Sequence, residues 1–556
     1  MSARREVETG DARSQQMDSH TDGTVRSAGL IAALTFLSRL LGVARDVACA
    51  ALFGAGFVWD AFSFAFRIPN LFRRLFGEGA LSAAFVPAVS ECLENEGDTE
   101  ARQMAGLVGG ALIVVLSALV VLGELVIAGI ALGVEPGPRW GLALLLAAVL
   151  LPYAVLICLT AFLGAMLHAL RRFAAPALAP VVLNLCWLAA VVLVAPAVAD
   201  AQRVRIIVVA VAIVLAGVLQ VLLQLAALHR AGFRWRPLFQ LLHPHVRRVA
   251  VSMAPVALGL AAFQLNVLLD GVIAISLAGP AGGDGLQVAG LSLPYPMRVG
   301  ANSVLYYANR LMQMPLGVFG IALATAVFPV LSRRAAREDW SGFSASIMRG
   351  LRLVVFIGIP AGVGLMLLRR PAVCLLFERG AFTAAMTSRA AFVLVFYSAG
   401  LWAYCALHLL VRAFYGLQRP GVPARLAGAM VGLNLGLNLA LVWPLAEAGL
   451  ALATAICATL QVLILLAKLR RTVPLEGLPR LGATLAKTCC ATVVMAAATW
   501  GTLRLLPGAP ASLAGRLVRV AVPLASGLIT YVLAAAALRA EELHMVARAM
   551  VRGGRQ

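Results

Sequence analysis

A chain made of apolar runs that each exceed the roughly 20 residues needed to cross about 30 Å of hydrocarbon has very few folds open to it. In lipid every backbone N–H and C=O must be satisfied internally, so only helices and closed barrels span a bilayer. The runs here lie at roughly 27–53, 60–90, 103–133, 140–169, 176–198, 204–228, 249–279, 299–331, 346–369, 388–415, 421–444, 447–469, 481–505 and 514–539. They are too long for barrel strands, which need about 9–11 residues. The sequence therefore predicts an all-α polytopic membrane protein with about 14 transmembrane helices.

Composition supports this: 61% of residues are hydrophobic and only 13% charged, which excludes an ordinary soluble domain. The net charge of +21 raises nucleic acid as a partner, but the basic residues punctuate apolar runs and form no stripe with interleaved aromatics. They read as topology signals with affinity for anionic lipid, and no nucleic-acid partner is expected. The nine cysteines form no CxxC pair and read as small packing residues. His243 and His245 read as part of a solvated turn. Residues 1–26 are polar and of mixed charge, unlike a signal peptide.

Orientation follows from the connectors. With the N-terminus inside, the cytoplasmic loops receive Arg171 and Arg172, then Arg230, Arg234, Arg236, Arg247 and Arg248, then Arg333, Arg334 and Arg337, then Arg419 and Arg425, and Lys468, Arg470 and Arg471. Arg369, Arg370 and Arg379 fall on the opposite side and dissent from the rule. Both termini are expected in the cytoplasm.

An internal repeat divides the chain. At an offset of 242, Ala80, Leu81, Ala84, Pro87 and Ser90 match Ala322, Leu323, Ala326, Pro329 and Ser332. At an offset of 247, Leu170, Arg172, Pro176 and Ala177 match Leu417, Arg419, Pro423 and Ala424. Two lobes of about six helices in parallel orientation are implied, with two helices left over. The expected divisions are a tail at 1–26, an N-lobe at 27–228, a basic linker at 229–248 lying on the inner membrane face, a C-lobe at 249–470, two further helices at 471–540 and a tail at 541–556.

The functional clue is charge inside the first two spans. Arg39 and Asp46 are seven residues apart and share a helical face, with Arg45 about 120° away. In the second span Asp60, Arg67, Arg74 and Glu78 form one stripe with Arg73 beside it, and Pro69, Gly77 and Gly79 permit a locally opened helix. Five such charges facing lipid would cost on the order of 15 kcal/mol, so they line a hydrated cavity, pair, or snorkel. Arg74 and Glu78 can pair along the helix and Asp60 can cap it. The surplus of Arg39, Arg45, Arg73 and Arg74, with Arg310 from the second half, calls for an anionic ligand, because a guanidinium fork binds phosphate oxygens in pairs.

These motifs, SRLLGVARD, GAGFVWDAF, PNLFRRLFGEGALSAAFVP and YYANRLMQMPLGVFGIALATAVFP, resemble those of the MurJ (MviN) family of lipid II flippases in the multidrug/oligosaccharidyl-lipid/polysaccharide exporter superfamily. The resemblance covers almost the whole chain. It implies transport of undecaprenyl-diphosphate-linked disaccharide-pentapeptide to the outer leaflet for peptidoglycan synthesis, with Arg39, Arg45, Arg73, Arg74 and Arg310 lining a cationic central cavity and Asp46, Asp60 and Glu78 as the accompanying acids. The last two helices are implied to form a groove for the prenyl tail. The chain departs from the family at Asn309 and Gln313, where acids are common, which puts any proton step at those positions in doubt.

A second polar group is read from the residues: Asp270 in the seventh span, Asn434 and Asn438 at i, i+4 in the eleventh, and Thr454 in the twelfth, oxygen donors suited to Na⁺ or to a proton on Asp270. Interhelical hydrogen bonding is the competing reading of these groups. No cofactor is otherwise expected, no catalytic residue is assigned, and the chain is read as a monomeric transporter and not an enzyme. An exporter of drugs or of another polyprenyl-linked saccharide is the alternative; it predicts about twelve helices and a less cationic first lobe. A polyprenyl-phosphate enzyme would need clustered acids or histidines, which the sequence lacks. The absence of a Walker motif argues against built-in ATP hydrolysis, which leaves membrane potential or ion exchange as the expected drive.

Overall fold

Long alanine-, leucine- and valine-rich runs become helices because the helix satisfies its own backbone while its side chains face lipid or neighbouring helices. The computed structural model describes residues 29–133, 137–280, 285–288, 291–506, 508 and 512–553. Contacts divide the chain into two compact units: one holds the chain up to Cys49 together with Ala65–Ala257, the other Ala50–Phe64 together with Leu258 onward. The segment 50–64 thus packs with the second half of the chain, which a division at the basic linker does not anticipate.

The first helix, α1, covers 29–53. It is followed by α2 (Phe57–Phe72), α3 (Ala80–Asn95), α4 (Asp98–Gly133), α5 (Pro138–Leu150), α6 (Tyr153–Ala169), α7 (Ala174–Ala189), α8 (Ala195–Val198) and α9 (Gln202–Arg230). Then come α10 (Pro244–Ser276), α11 (Ala301–Pro315), α12 (Ala322–Ala336), α13 (Trp340–Leu367), α14 (Arg369–Phe377), α15 (Ala384–Ala399) and α16 (Leu401–Gly416). The chain closes with α17 (Gly421–Leu445), α18 (Glu447–Thr472), α19 (Leu478–Leu505), α20 (Leu513–Ala537) and α21 (Glu541–Gly553).

Among the described residues, ten helices are long and apolar enough to cross a membrane, or eleven if α15 and α16, bent by 44°, form one span. The expected first, second and seventh spans are also helical, in α1, in α2–α3 and in α10. Charge is what sets the first two apart: Arg39, Arg45 and Asp46 in one, Asp60, Arg67, Arg73 and Arg74 in the other. These assignments are consistent with the expected fourteen. The connector after α10 adds two short ladders, Ala278–Gly279 parallel with Met297–Arg298 and Leu286–Val288 antiparallel with Leu291–Leu293, a small departure from an all-α chain.

The repeat is visible in backbone conformation. A π-helical segment, Arg73–Gly79, joins α2 to α3, and another, Leu316–Ile321, joins α11 to α12. They end on the residues before Ala80 and Ala322, the pair matched in sequence at the offset of 242. Pro69 and Pro315 lie just upstream, each removing a backbone donor.

The basic linker is an extended strap over 233–240, laid into a groove on α4. Leu238 N–H donates to Gly106 O at 2.9 Å and the Trp235 indole N–H to Ala105 O at 3.0 Å. A Cβ at Gly110 would come within 2.1 Å of Leu238 O, so the strap requires glycine there. In the second unit α19 and α20 pack on each other and on α13, and Tyr531 donates to Phe356 O at 2.6 Å.

Candidate functional sites in the two units

In the first unit the guanidinium of Arg45 is gripped from three sides. Its Nε and Nη2 donate to Asp46 Oδ1 at 3.1 and 2.7 Å, its Nη1 donates to Asn184 Oδ1 at 3.0 Å, and its Cζ lies 4.2 Å from the centroid of the Trp187 ring. Asn184 in turn donates to Ser38 O at 3.0 Å, fixing α7 to α1. Both Arg45 and Asp46 are buried. Helical geometry separated the directions of Arg45 and Asp46; the structure pairs them, because the long arginine folds back over its neighbour. Arg39, expected to share a face with Asp46, is exposed and forms no ion pair with it among the described residues.

Arg73 and Arg74 open the π segment, and both are half-buried. Arg73 Nε donates to Asn70 Oδ1 at 2.9 Å. The expected single stripe through Asp60, Arg67, Arg74 and Glu78 assumed uniform α geometry; the π segment changes the register after Phe72, and Asp60 belongs to the other unit. The Glu78 side chain lies outside the described residues, so its pairing with Arg74 is not part of this geometry.

In the second unit Asp60 caps a helix that is remote in sequence. Its Oδ2 accepts from Gly300 N–H at 2.7 Å, and its Oδ1 accepts from Ser303 N–H at 2.7 Å and Ser303 Oγ–H at 2.6 Å. Asn302 donates to Asp60 O at 3.1 Å and to Ser63 Oγ at 2.8 Å. A carboxylate at the first N–H groups of α11 also meets the positive end of its dipole. Gly300, at φ +92°, makes the turn, and a Cβ there would come 2.1 Å from Ala55 O. Sequence reading placed Asp60 at the start of its own helix or in the cavity; the structure gives its carboxylate to α11. Arg389 completes this corner: its Nη1 and Nη2 donate to Val299 O at 2.8 Å and Arg298 O at 3.1 Å, and its Nε pairs with buried Glu447 at 2.7 Å.

Arg310 lies two turns along α11, half-buried. Its Nη2 donates to Tyr306 Oη at 3.0 Å and its Cζ stands 5.0 Å from that ring's centroid. Gln313 donates to Asn309 Oδ1 at 3.2 Å, so the two amides that replace acids bond to one another. Sequence reading passed over Arg389, Glu447 and Arg412. Arg412 donates to Thr325 Oγ1 at 2.6 Å and to Ile321 O, the last carbonyl of the π segment, at 3.3 Å. Charge within or bordering an apolar span was the signal that marked them.

The second polar group assembles in part. Asn438 Nδ2 donates to Asp270 Oδ1 at 2.6 Å and to Asn434 Oδ1 at 2.8 Å, while Asn438 Oδ1 is buried without a hydrogen-bond partner. Thr454 Oγ–H is given to Leu450 O at 3.0 Å. An orphaned amide oxygen beside a carboxylate fits a hard cation or a proton. Among the described residues no three His, Cys, Asp or Glu side chains gather as a metal site.

In each unit an arginine is held against an aromatic face within an apolar helix, Arg45 on Trp187 and Arg310 on Tyr306. The fold is that of membrane transporters. It superposes on a solved structure titled lipid II flippase MurJ, inward closed conformation, with a TM-score of 0.71 and 23% identity over 92% of this chain and 99% of that one. It also superposes on an inward-facing multidrug resistance MATE family transporter of the MOP superfamily, with a TM-score of 0.62 and 15% identity over 82% and 98%. The family profile described as lipid II flippase MurJ matches residues 49–518. A Vibrio cholerae protein named probable lipid II flippase MurJ is 34% identical over 79% of this chain and 82% of its own. A Burkholderia cenocepacia lipid II flippase MurJ is 33% identical over 79% and 83%, and a Rhizobium meliloti relative 31% over 95% and 96%. The chain belongs to the MurJ family.

Proposed function

We propose that this protein is a lipid II flippase. It carries the undecaprenyl-diphosphate-linked peptidoglycan precursor from the inner to the outer leaflet of the bacterial cytoplasmic membrane by alternating access, for cell-wall synthesis. The observation that carries this reading is membership of the family together with arginines held inside apolar helices of each unit. The diphosphate is the recognised group: Arg39, Arg45, Arg73 and Arg74 serve it from the first unit and Arg310 from the second, each through the planar fork that suits phosphate oxygens. Asp46 acts through Arg45 by orienting it, Asp60 acts through α11 by capping it, and Glu78 accompanies Arg74. The prenyl tail runs along α19 and α20.

In this reading the protein works as a monomer with both termini in the cytoplasm. Asp270, Asn434 and Asn438, with the hydroxyl oxygen of Thr454, form a Na⁺ or proton site; the orphaned Asn438 oxygen supports it. A bound cation there would compensate the Asp270 charge. The test is depletion of the protein in its native bacterium, with lipid II on the outer leaflet as readout. Falling exposure is expected; unchanged exposure in a strain with no second flippase overturns the reading.

A further inference from the structure

One acidic side chain has no place in the sites above. Glu124 lies in α4, the helix of the third span. The exposed large apolar side chains of α4 run from Val115 through Leu122 and Leu125 to Leu132 and form its lipid-facing belt. At 1.5 Å per residue that belt is about 26 Å long, and Glu124 stands about 13 Å from either end. The carboxyl is therefore at the midplane of the belt and half-buried, one residue along α4 from Gly123, which closes on Leu151 at the break between α5 and α6.

The elements packed against α4 offer it nothing. Glu124 is the only charge on α4 between Arg102 and Gly133. α5 carries Arg139 in its first turn, and α6 carries Tyr153, Cys158 and His168. α3 carries Glu91, Cys92 and Glu94, and the strap carries Arg234 and Arg236 beside the N-terminal turns of α4. Among the described residues none of these hydrogen-bonds to or pairs with Glu124. An ionised carboxylate at such a depth is expensive, whereas the neutral acid is tolerated, and intramembrane acids of this kind serve as proton carriers.

We propose that Glu124 is a proton-binding site within the lipid belt of the first unit, protonated in the conformation described and exchanging its proton with water when transport hydrates that face. The step is a bare proton transfer: the carboxyl O–H bond breaks, its electron pair stays on the carboxylate, and water takes the proton. The transport half of this inference rests on the flippase reading; the proton site itself does not.

The test uses the full-length protein in phospholipid vesicles and dicyclohexylcarbodiimide, an apolar reagent that adds across a protonated carboxyl with no leaving group. Mass spectrometry is expected to find the adduct on Glu124 at acidic pH, declining as pH rises, and to find none at this position in Glu124→Gln. Lipid II flipping by the wild type is expected to fall on alkalinisation, while Glu124→Gln, a fixed mimic of the neutral acid, keeps a flat profile and overtakes the wild type at alkaline pH. Absence of the adduct from Glu124 while other carboxyls react overturns the proton site. Superimposable pH profiles for the two proteins overturn its part in transport. An adduct at Glu124 in a protein that moves no lipid II upholds the site and counts against the flippase reading instead.

Discussion

Arg45 in the first unit and Arg310 in the second are both arginines in apolar helices, yet they are held by different means. Arg45 is fixed by Asp46 beside it and by Asn184 and Trp187 from α7, more than a hundred residues away. Arg310 is held by Tyr306, one turn earlier on its own helix. The carboxylate caps repeat the contrast. Asp339 caps its own helix through Gly342 N–H at 2.8 Å and is exposed, whereas buried Asp60 caps a helix more than two hundred residues away. A locally held group can adjust with its helix; a group held across the fold is set by how distant segments meet.

The largest expected effect breaks the Arg45 site. Arg45→Ala should reduce lipid II flipping in vesicles by about 100-fold, since hydrogen bonds to charged groups are worth about 1.5–3 kcal/mol and each 1.4 kcal/mol is tenfold. Arg45→Lys should recover little of this, because an ammonium cannot span Asp46 and Asn184 while lying on the Trp187 face. Arg310→Lys should lose less than Arg45→Lys, because it gives up the phosphate-matching fork but no grip between distant helices; equal losses in the two lysine variants would erase the distinction.

Asp60→Ala should come next, lowering stability by about 2 kcal/mol, the upper end for a cap, because Gly300 N–H and both Ser303 donors lose their acceptor inside the protein. Thermal unfolding in detergent measures it, and Asp60→Asn, which keeps one acceptor oxygen, should lie between. A smaller pair separates ring from hydroxyl: Trp187→Leu should cost flipping by about the 0.5–2 kcal/mol of a cation–π contact, and Tyr306→Phe should cost less, since the ring stays.

The smallest effect belongs to Asp339. The Gly342 N–H, helped by the Ser341 hydroxyl and the charge of Arg334, holds its carboxyl below the ordinary aspartate range. A carboxyl lowered on folding contributes stability that is complete above the unfolded value and is lost as pH falls through the folded value. Asp339→Ala should therefore lower the unfolding temperature slightly at neutral pH and leave it unchanged below that acidic window, measured by thermal unfolding across pH.

The candidate residues were legible in the sequence. Arg39, Arg45, Arg73, Arg74 and Arg310 declared themselves as charges in apolar runs, and Asp270 with Asn434 and Asn438 as a polar set that the structure brings together. The partners were not legible. Nothing near Arg45 in sequence marks Trp187, and Arg389 reaches Glu447 and two carbonyls that lie far along the chain.

The sequence by itself determined that the apolar runs are helical, the repeat and the polar outliers, because hydropathy and insertion cost act residue by residue along a helix. Only the tertiary structure decided which arginine is gripped across the fold, that Asp60 serves α11, and that 50–64 packs with the second half of the chain. Those outcomes depend on hydrogen bonds and ring contacts between segments far apart in the chain, and on π-helical turns that change the facing of everything after them; local pattern carries neither.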